Sequence, residues 1–351
     1  MKAYKKWSLS VLVMSLLLVA CAGAFNYVLD PLQFYRKAFY PPDFSAQQRF
    51  QNPGLAKNYD YDTIVIGSSM TENFLPSFVN EKLGVHMLKL SMSGASFKEQ
   101  YMIAKLAIET GKVKNVIWGI DYFSLRGHPD RVREEYGQFP FYLYDNNLLN
   151  DYHYVLNVDT TLEAARVLAA SRGIAERENP SLETLNTWLT APFGRQKVLA
   201  EWQKISKGGQ FTPADYEREY IWRNMDQNLI ALVQANPQID FTLYYPPYSV
   251  LQHRFFYEKS APLFENELEA KQYLFDKLGA KNNVKFFDFQ AEKSITFDLD
   301  NYKDLAHHSP KINEYIIESF VNGSHLVTKE SLQKTAEQLK QQVEELDVDK
   351  L

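Results

Sequence analysis

The chain has 351 residues, of which 45% are hydrophobic, 23% charged and 14% aromatic, and its formal net charge is −5. This composition is typical of a chain that buries a core and excludes wholesale disorder, and the negative charge without a long basic stripe argues against a nucleic-acid-binding protein. The one cysteine, Cys21, excludes an internal disulfide, a zinc knuckle and a catalytic cysteine in the folded body.

The first 29 residues have the pattern of a membrane-targeting segment. Lys2, Lys5 and Lys6 precede an uncharged run of 23 residues, from Trp7 to Leu29. A cleavable signal needs only ~7–15 apolar residues and a spanning helix ~20, so the length predicts an uncleaved N-terminal membrane helix. The lysines place the rest of the chain outside the cytoplasm. One alternative is plain secretion. The other is a bacterial lipoprotein, because Leu18-Val19-Ala20-Cys21 resembles a lipoprotein box, in which Cys21 would be the lipidated residue.

The body alternates short β-branched runs with helical patterns. Residues 30–60 are rich in Pro, Tyr and Phe and predict a juxtamembrane collar. The predicted strands are Thr63–Gly67, Val85–Leu90, Val116–Ile120, Phe241–Tyr245 and Val284–Phe287. The predicted helices are Met70–Leu83, Lys98–Thr110, Pro262–Leu278 and one that begins at about Pro310. This alternation indicates an α/β domain over 61–325, with a five-stranded, mostly parallel sheet and helices on both faces.

Two segments depart from this alternation. Residues 127–220 are too long for an ordinary crossover and predict a helical insertion over one edge of the sheet, either part of a substrate cleft or a packing elaboration. Residues 326–351 predict an amphipathic helix with an apolar seam, formed by Leu332, Ala336, Leu339, Val343 and Leu346. We expect this helix to pack on the body, with a short coiled coil or a partner-binding helix as the alternatives.

Four separated segments carry residues suited to acyl chemistry. Gly67-Ser68-Ser69 ends the first predicted strand, where helix amides favour developing negative charge. In Asp304-Leu305-Ala306-His307 the imidazole is able to accept a serine proton while the carboxylate fixes its tautomer.

The other two segments follow the second and third predicted strands. The small residues of Ser91–Ser96 leave backbone amides open to an oxyanion, and Asp121 in Gly119–Tyr122 is suited to binding substrate or orienting a neighbour. Taken singly, the serine turn is better explained by helix capping and the histidines by a surface loop, Ser91–Ser96 is equally well explained by a tight turn, and Asp121 has the alternative of a helix cap or loop residue.

In this order and spacing the four segments resemble the blocks of the SGNH (GDSL-like) hydrolase superfamily, from about Tyr61 to Phe320. The resemblance implies a three-layer α/β/α, flavodoxin-like fold, with Ser69 as nucleophile, Asp304 and His307 as its triad partners, and the Ser69 and Gly94 amides as oxyanion donors. Ser68 stands where the family usually has Asp. Asp121 stands where the family places an Asn that donates to the oxyanion, and an ionised carboxylate has no hydrogen to donate.

With its N-terminal helix and insertion, the chain resembles most closely the DltD-like and AlgX/AlgJ-like membrane-anchored acyl-transfer proteins of the cell envelope. That resemblance implies a bacterial membrane protein with its body outside the cytoplasm, an acylated polymer or glycan as substrate, and a membrane-bound O-acyltransferase as partner. The expected function is a serine esterase or O-acyltransferase without a cofactor. The alternative is a non-catalytic scaffold of the same fold that binds a glycan or the membrane acyltransferase. A metal site is not expected, because only Asp304, His307 and His308 cluster in sequence.

Overall fold

The computed structural model describes residues 2–208 and 212–351, which form two compact units. Unit 1 comprises Met1–Tyr59 and Pro140–Leu185, and unit 2 comprises Asp60–Phe139 and Asn186–Leu351. The helices in chain order are α1 (Lys2–Leu29), α2 (Gln48–Asn58), α3 (Pro76–Leu83), α4 (Phe97–Glu109), α5 (Tyr152–Val155), α6 (Val158–Ser171), α7 (Arg195–Gly208), α8 (Arg218–Met225), α9 (Ala231–Ala235), α10 (Val250–Lys259), α11 (Ala261–Leu278), α12 (Lys293–Thr296), α13 (Pro310–Asn322) and α14 (Lys329–Glu344). The segment 127–220 that we predict as an insertion is thus shared between the two units, and its residues 209–211 lie outside the described residues.

Unit 2 is built on a five-stranded parallel sheet. Its strands are β1 (Thr63–Ile66), β2 (Met87–Lys89), β3 (Asn115–Gly119), β4 (Asp240–Tyr245) and β5 (Val284–Asp288), in the order β2-β1-β3-β4-β5. All four strand pairings are parallel, with Thr63 opposite both Met87 and Asn115. The predicted α/β class is confirmed, and the sheet with its helices is consistent with a three-layer α/β/α fold. The predicted "mostly parallel" sheet is parallel throughout.

The strand order sets where a ligand site belongs. The chain leaves β1 toward β2 on one side and returns to β3 on the other, so the order reverses between β1 and β3. In open parallel sheets this reversal opens a crevice at the carboxyl ends of the two strands. Ser69 follows β1 and Asp121 follows β3, so both residues lie at this edge.

The helix boundaries of unit 2 follow local chemistry. The predicted helix Met70–Leu83 begins only at Pro76, because Ser69–Thr71 forms a 3₁₀ turn and Pro76 occupies the first helical turn, where its missing N–H costs nothing. α3 ends at Gly84, which takes the left-handed conformation at φ 67°. The C-terminal α14 packs on α10 and α11 through the buried side chains of Leu332, Leu339 and Val343.

Unit 1 contains α1, α2, α5 and α6. In α1, Tyr4–Leu29 has the length and a mean hydropathy of 2.3 that suffice for a membrane span, and Cys21 lies exposed within it. The last turns of α1 are held by Asn26, whose Nδ2 donates to the Val155 carbonyl at 2.9 Å and to Thr161 Oγ1 at 2.8 Å. The end of α1 is therefore part of the folded unit.

The collar that follows α1 turns around Asp30. Its carboxylate accepts hydrogen bonds from the amides of Phe34, Tyr35 and Arg36 and from the Tyr154 hydroxyl. Burial raises the pKa of Asp30, although these hydrogen bonds act in the opposite direction. The segment after α1 is thus an ordered, hydrogen-bonded turn.

Candidate active site

The turn after β1 places Ser69 by close packing around Thr71. A Cβ atom at Gly67 would lie 2.6 Å from Thr71 Cγ2, and one at Gly119 would lie 2.8 Å from the same atom, so both positions require glycine. Thr71 Oγ1 donates to the Ser68 carbonyl at 2.9 Å and lies 2.6 Å from Ser91 Oγ. Ser69 is half-buried while Gly67, Ser68 and Thr71 are buried, so its side chain is the accessible one of the turn.

A short loop before α13 carries Asp304 and His307. Asp304 Oδ1 accepts the amides of Ala306 at 2.9 Å and His307 at 2.7 Å, which curls the loop so that both side chains face each other. Asp304 Oδ2 lies 2.7 Å from His307 Nδ1. The carboxylate therefore favours the tautomer with its proton on Nδ1 and leaves Nε2 as an acceptor.

Ser69 and His307 meet across 238 positions of sequence. Ser69 Oγ lies 2.7 Å from His307 Nε2, within the range of an O–H···N hydrogen bond. The structure thus brings together all three side chains that the resemblance implies as a triad, in a continuous relay from Ser69 through His307 to Asp304. His307 and Asp304 keep about a quarter of their side-chain surface exposed, which leaves the relay open to a substrate.

Two carboxylates act on the electrostatics of the relay. Burial raises the pKa of Asp304, but hydrogen bonds from the His307 ring and from the Ala306 and His307 amides outweigh it, and the pKa lies below its ordinary value. Asp304 is therefore ionised at neutral pH. Glu201 of α7 lies nearby, and burial together with the Asp304 charge raises the pKa of Glu201. Asp304 and Glu201 therefore place two acidic side chains beside the His307 ring.

The loop that carries Asp304 and His307 is held by hydrogen bonds to the segment that follows β4. Ser249 donates to the Leu305 carbonyl through both its amide, at 3.1 Å, and its Oγ, at 2.6 Å. The Tyr302 hydroxyl donates to the Pro247 carbonyl at 3.2 Å. These contacts connect Pro247 and Ser249, which follow β4, to the loop that carries Asp304 and His307.

Asp121 faces inward and its carboxylate is occupied by protein donors. Ser68 Oγ donates to Oδ2 at 2.7 Å, the Phe123 amide donates to Oδ1 at 3.1 Å, and the hydroxyl of Tyr248 donates to Oδ1. Asp121 is 5% exposed. The side chain therefore connects the turns after β1, β3 and β4, and it holds the serine turn through Ser68.

Backbone amides at the site remain available as donors. Within the described residues, the N–H groups of Ser69 and Gly94 have no hydrogen-bond acceptor. The Met92 amide donates to the Gly67 carbonyl at 3.1 Å, which fixes the glycine turn beside the serine turn. Arg133 Nη1 donates to the Gly94 carbonyl at 2.8 Å, and Gly94 takes φ 58°. These two amides are the donors that the oxyanion prediction names, and that role stays a prediction.

Trp188 is a site residue that the sequence did not indicate. Its ring meets the His307 ring edge-on, with centroids 5.6 Å apart and planes at 89°. Its Nε1 donates to Glu72 Oε2 at 3.1 Å, its amide donates to Asn73 Oδ1 at 3.0 Å, and Lys303 Nζ lies 3.8 Å from its ring centroid. The indole thus packs against the His307 ring of the relay. No motif marks this position, because its role depends on contacts with residues far away in sequence.

His308 follows His307 in the chain and is completely buried, with its Nδ1 3.4 Å from the Ser309 carbonyl oxygen. Burial lowers the pKa of His308 to about 4. Among the described residues, no group of three or more His, Cys, Asp or Glu side chains is arranged to hold a metal ion. The chain matches no protein-family model and no curated protein sequence.

Proposed function

We propose that this protein is a membrane-anchored serine acyl enzyme, an esterase or O-acyltransferase of the SGNH type. The proposal depends above all on the continuous relay of Ser69 Oγ, His307 Nε2 and Asp304 Oδ2, with both hydrogen bonds at 2.7 Å. A serine is a weak nucleophile unless an oriented base accepts its proton, and this relay supplies that base. The order of the segments along the chain, which resembles that superfamily, supports the same reading.

Acyl transfer proceeds in two halves. Ser69 Oγ attacks the carbonyl carbon of an ester or thioester while His307 Nε2 takes the hydroxyl proton, and the oxyanion receives hydrogen bonds from the Ser69 and Gly94 amides. The tetrahedral intermediate collapses, the carbon–leaving-group bond breaks, and His307 returns the proton to the leaving group. A sugar or polyol hydroxyl or a water molecule then gives its proton to His307 and attacks the acyl-serine. When this second tetrahedral intermediate collapses, the bond between Ser69 Oγ and the acyl carbon breaks and His307 returns the proton to Ser69 Oγ.

Asp121 makes this site differ from a broadly active esterase. Its carboxylate offers no hydrogen to an oxyanion and is engaged by Ser68, Tyr248 and Phe123. Stabilisation of the oxyanion therefore depends on two backbone donors, and loss of one such donor typically costs 10²–10³-fold in rate. We infer a slow, specialised enzyme that acts on an acyl group delivered directly to Ser69.

The cellular setting follows from α1. Its apolar stretch and the N-terminal lysines favour a single-pass anchor with the body outside the cytoplasm of a bacterium. In that setting the substrate is an acylated cell-envelope polysaccharide or polymer, and the acyl donor is presented by a membrane-bound O-acyltransferase. Lipidation at Cys21 is the alternative anchor, and it leaves the body on the same side of the membrane.

A serine-directed fluorophosphonate tests the catalytic part. We expect the purified full-length protein to gain one adduct, which peptide mass spectrometry assigns to Ser69. Ser69→Ala and His307→Gln should abolish labelling, while the matched control Ser324→Ala, at an exposed serine, should label like the parent protein. A folded protein that takes up no adduct on an intact Ser69 would identify the chain as a non-catalytic scaffold of the same fold.

A further inference from the structure

Residues 148–162 of unit 1 present several large apolar side chains to solvent. Val158 and Leu162 of α6 are 72% and 64% exposed, and Leu148 and Leu149 are 78% and 88% exposed. With Tyr152 and Leu156 these residues form what we call the juxtamembrane apolar surface, defined by Leu148, Leu149, Tyr152, Leu156, Val158 and Leu162. Soluble surfaces rarely carry such a cluster unless something covers it.

Helix α6 is apolar on two opposite sides. One side is buried through Ala164, Val167 and Ala170, as expected for a helix that packs on a core. The other side carries Val158 and Leu162, which are four residues apart and therefore share one exposed face. A helix with apolar residues on both sides has a second apolar neighbour in its native setting.

The two leucines before α5 project from an ordered turn. Asp145 Oδ1 accepts the Asn147 amide at 2.9 Å, Asn147 Oδ1 accepts the Leu149 amide at 3.1 Å, and Asn150 Nδ2 donates to Asp145 Oδ2 at 2.8 Å. Side chain to backbone bonds of this kind hold a turn in one conformation. Leu148 and Leu149 are thus presented at the tip of a braced turn.

The position of this surface along α1 identifies what covers it. Residues Tyr4–Cys21 are all exposed, and at 1.5 Å per residue they span about 27 Å, close to the thickness of a bilayer's hydrocarbon core. Packing begins just beyond: a Cβ at Gly23 would lie 2.9 Å from Leu156 Cδ2, and Asn26 bonds to Thr161, which is next to Leu162. The surface therefore adjoins the point at which α1 leaves the apolar layer.

Interfacial side chains surround the same point. Tyr27, 48% exposed, lies under the Arg36 guanidinium at 4.5 Å, while Lys37 and Phe39 are exposed nearby in sequence. Tyrosines and basic residues of this kind are enriched at the headgroup level of membranes, where the cations meet lipid phosphates.

We propose that the juxtamembrane apolar surface rests in the outer leaflet of the lipid bilayer, with Leu148–Leu149 and the Val158/Leu162 face inserted at the level of the headgroups and upper acyl chains. This proposal rests on the insertion of α1 in the bilayer and is independent of the acyl chemistry. Unit 1 is then held to the membrane by two contacts, the helix and this surface, which restricts its tilt. The other occupant that such a surface would fit is a membrane protein, and the experiment separates the two.

The test uses the full-length protein with Cys21→Ser, reconstituted in phosphatidylcholine–phosphatidylglycerol vesicles. The environment-sensitive fluorophore NBD is attached to one new cysteine at a time: Leu149→Cys, Leu162→Cys, or the matched control Asp159→Cys on the polar side of the first turn of α6. We expect lipids that carry a shallow nitroxide to quench the Leu149 and Leu162 probes about threefold more than the Asp159 probe, and iodide to show the reverse order.

A fourth probe, Leu16→Cys, reports whether α1 itself is inserted, since deep nitroxide lipids should quench it. With α1 inserted, Leu149 and Leu162 probes that remain fully accessible to iodide overturn the proposal. Protection of these probes only in native membranes, and not in vesicles of lipid alone, also overturns it and assigns the surface to a protein partner. Because none of these variants touches the relay, fluorophosphonate labelling of Ser69 distinguishes a failure here from a failure of the proposed catalysis.

Discussion

Replacing Asp304 with asparagine tests the relay with minimal change in shape. Asp304 is an acceptor on both oxygens, because Oδ2 faces the His307 Nδ1–H and Oδ1 takes the amides of Ala306 and His307. An asparagine must turn its NH₂ toward one of these sides. If the NH₂ group faces the backbone, it meets the amide donors of Ala306 and His307 and neither can bond to it. If the NH₂ group faces the ring, it donates to His307 Nδ1 and forces the imidazole proton onto Nε2. The second arrangement satisfies the backbone and is therefore the expected one.

The magnitude follows from the lost base. With the proton on Nε2, His307 has no lone pair for the Ser69 hydroxyl, and the equivalent substitution in a Ser-His-Asp site costs about ten-thousandfold in rate. That factor corresponds to about 5.5 kcal/mol of transition-state stabilisation. The backbone bonds to Oδ1 are retained, so we expect the free energy of unfolding to fall by only about 1.5–3 kcal/mol, the value of one hydrogen bond to a charged group.

The assay is the second-order rate of fluorophosphonate labelling of Ser69, measured beside p-nitrophenyl acetate hydrolysis and urea unfolding. Asp298→Asn is the matched control: this exposed carboxylate caps a neighbouring turn through the Asp300 amide at 3.2 Å and does not contact the relay. We expect the control to label at the parental rate. If Asp304→Asn labels as fast as the control while remaining folded, Asp304 does not orient the base and the reasoning from the relay is wrong.

Three further predictions concern residues around the relay. Trp188→Leu removes the ring that packs edge-on against His307 and the Nε1 donor to Glu72, so labelling should slow about tenfold in protein that a thermal melt shows to be folded; an unchanged rate would contradict the positioning role. His308, whose pKa burial lowers from 6.5 to about 4, stays neutral in the folded state while the unfolded chain takes up a proton. Its contribution is therefore fully present above pH 6.5 and about 3 kcal/mol is lost as the pH falls toward 4; His308→Gln should flatten this part of a urea-unfolding pH series. Asp121→Ala leaves the buried Tyr248 hydroxyl without its acceptor and should cost about 2–3 kcal/mol in urea unfolding, whereas Asp121→Asn, which keeps an acceptor oxygen, should lose less than half of that.

Much of unit 2 was predictable because its signals are local. The β-branched runs that became β1 and β3 are short, apolar and followed by glycine, and Gly84 ends α3 as its position after the helix suggests. The predictions differ from the structure at the ends of helices. The helix after Ser69 starts six residues later than predicted from Met70, because a 3₁₀ turn and Pro76 decide the start.

The site itself was only partly predictable. The sequence identifies Ser69, Asp304 and His307 as residues of suitable chemical type. Their proximity, however, depends on a strand order that no local sequence pattern determines. Trp188 and Glu201 lie in a segment with weak periodicity, and their roles depend on side-chain contacts with Glu72, His307 and the Asp304 loop. The division of residues 127–220 between two units likewise depends on contacts between residues that are far apart in sequence.

The hydrogen bond between Ser69 and His307 closes a loop of 238 positions, and this has a consequence for biosynthesis. A chain made from its N-terminus presents the Ser69 hydroxyl early and the His307 imidazole late, so this hydrogen bond cannot form until nearly all of unit 2 has left the ribosome. Under the proposed function, Ser69 therefore becomes reactive only when the fold is complete, and a chain that stalls before residue 307 lacks this reactivity.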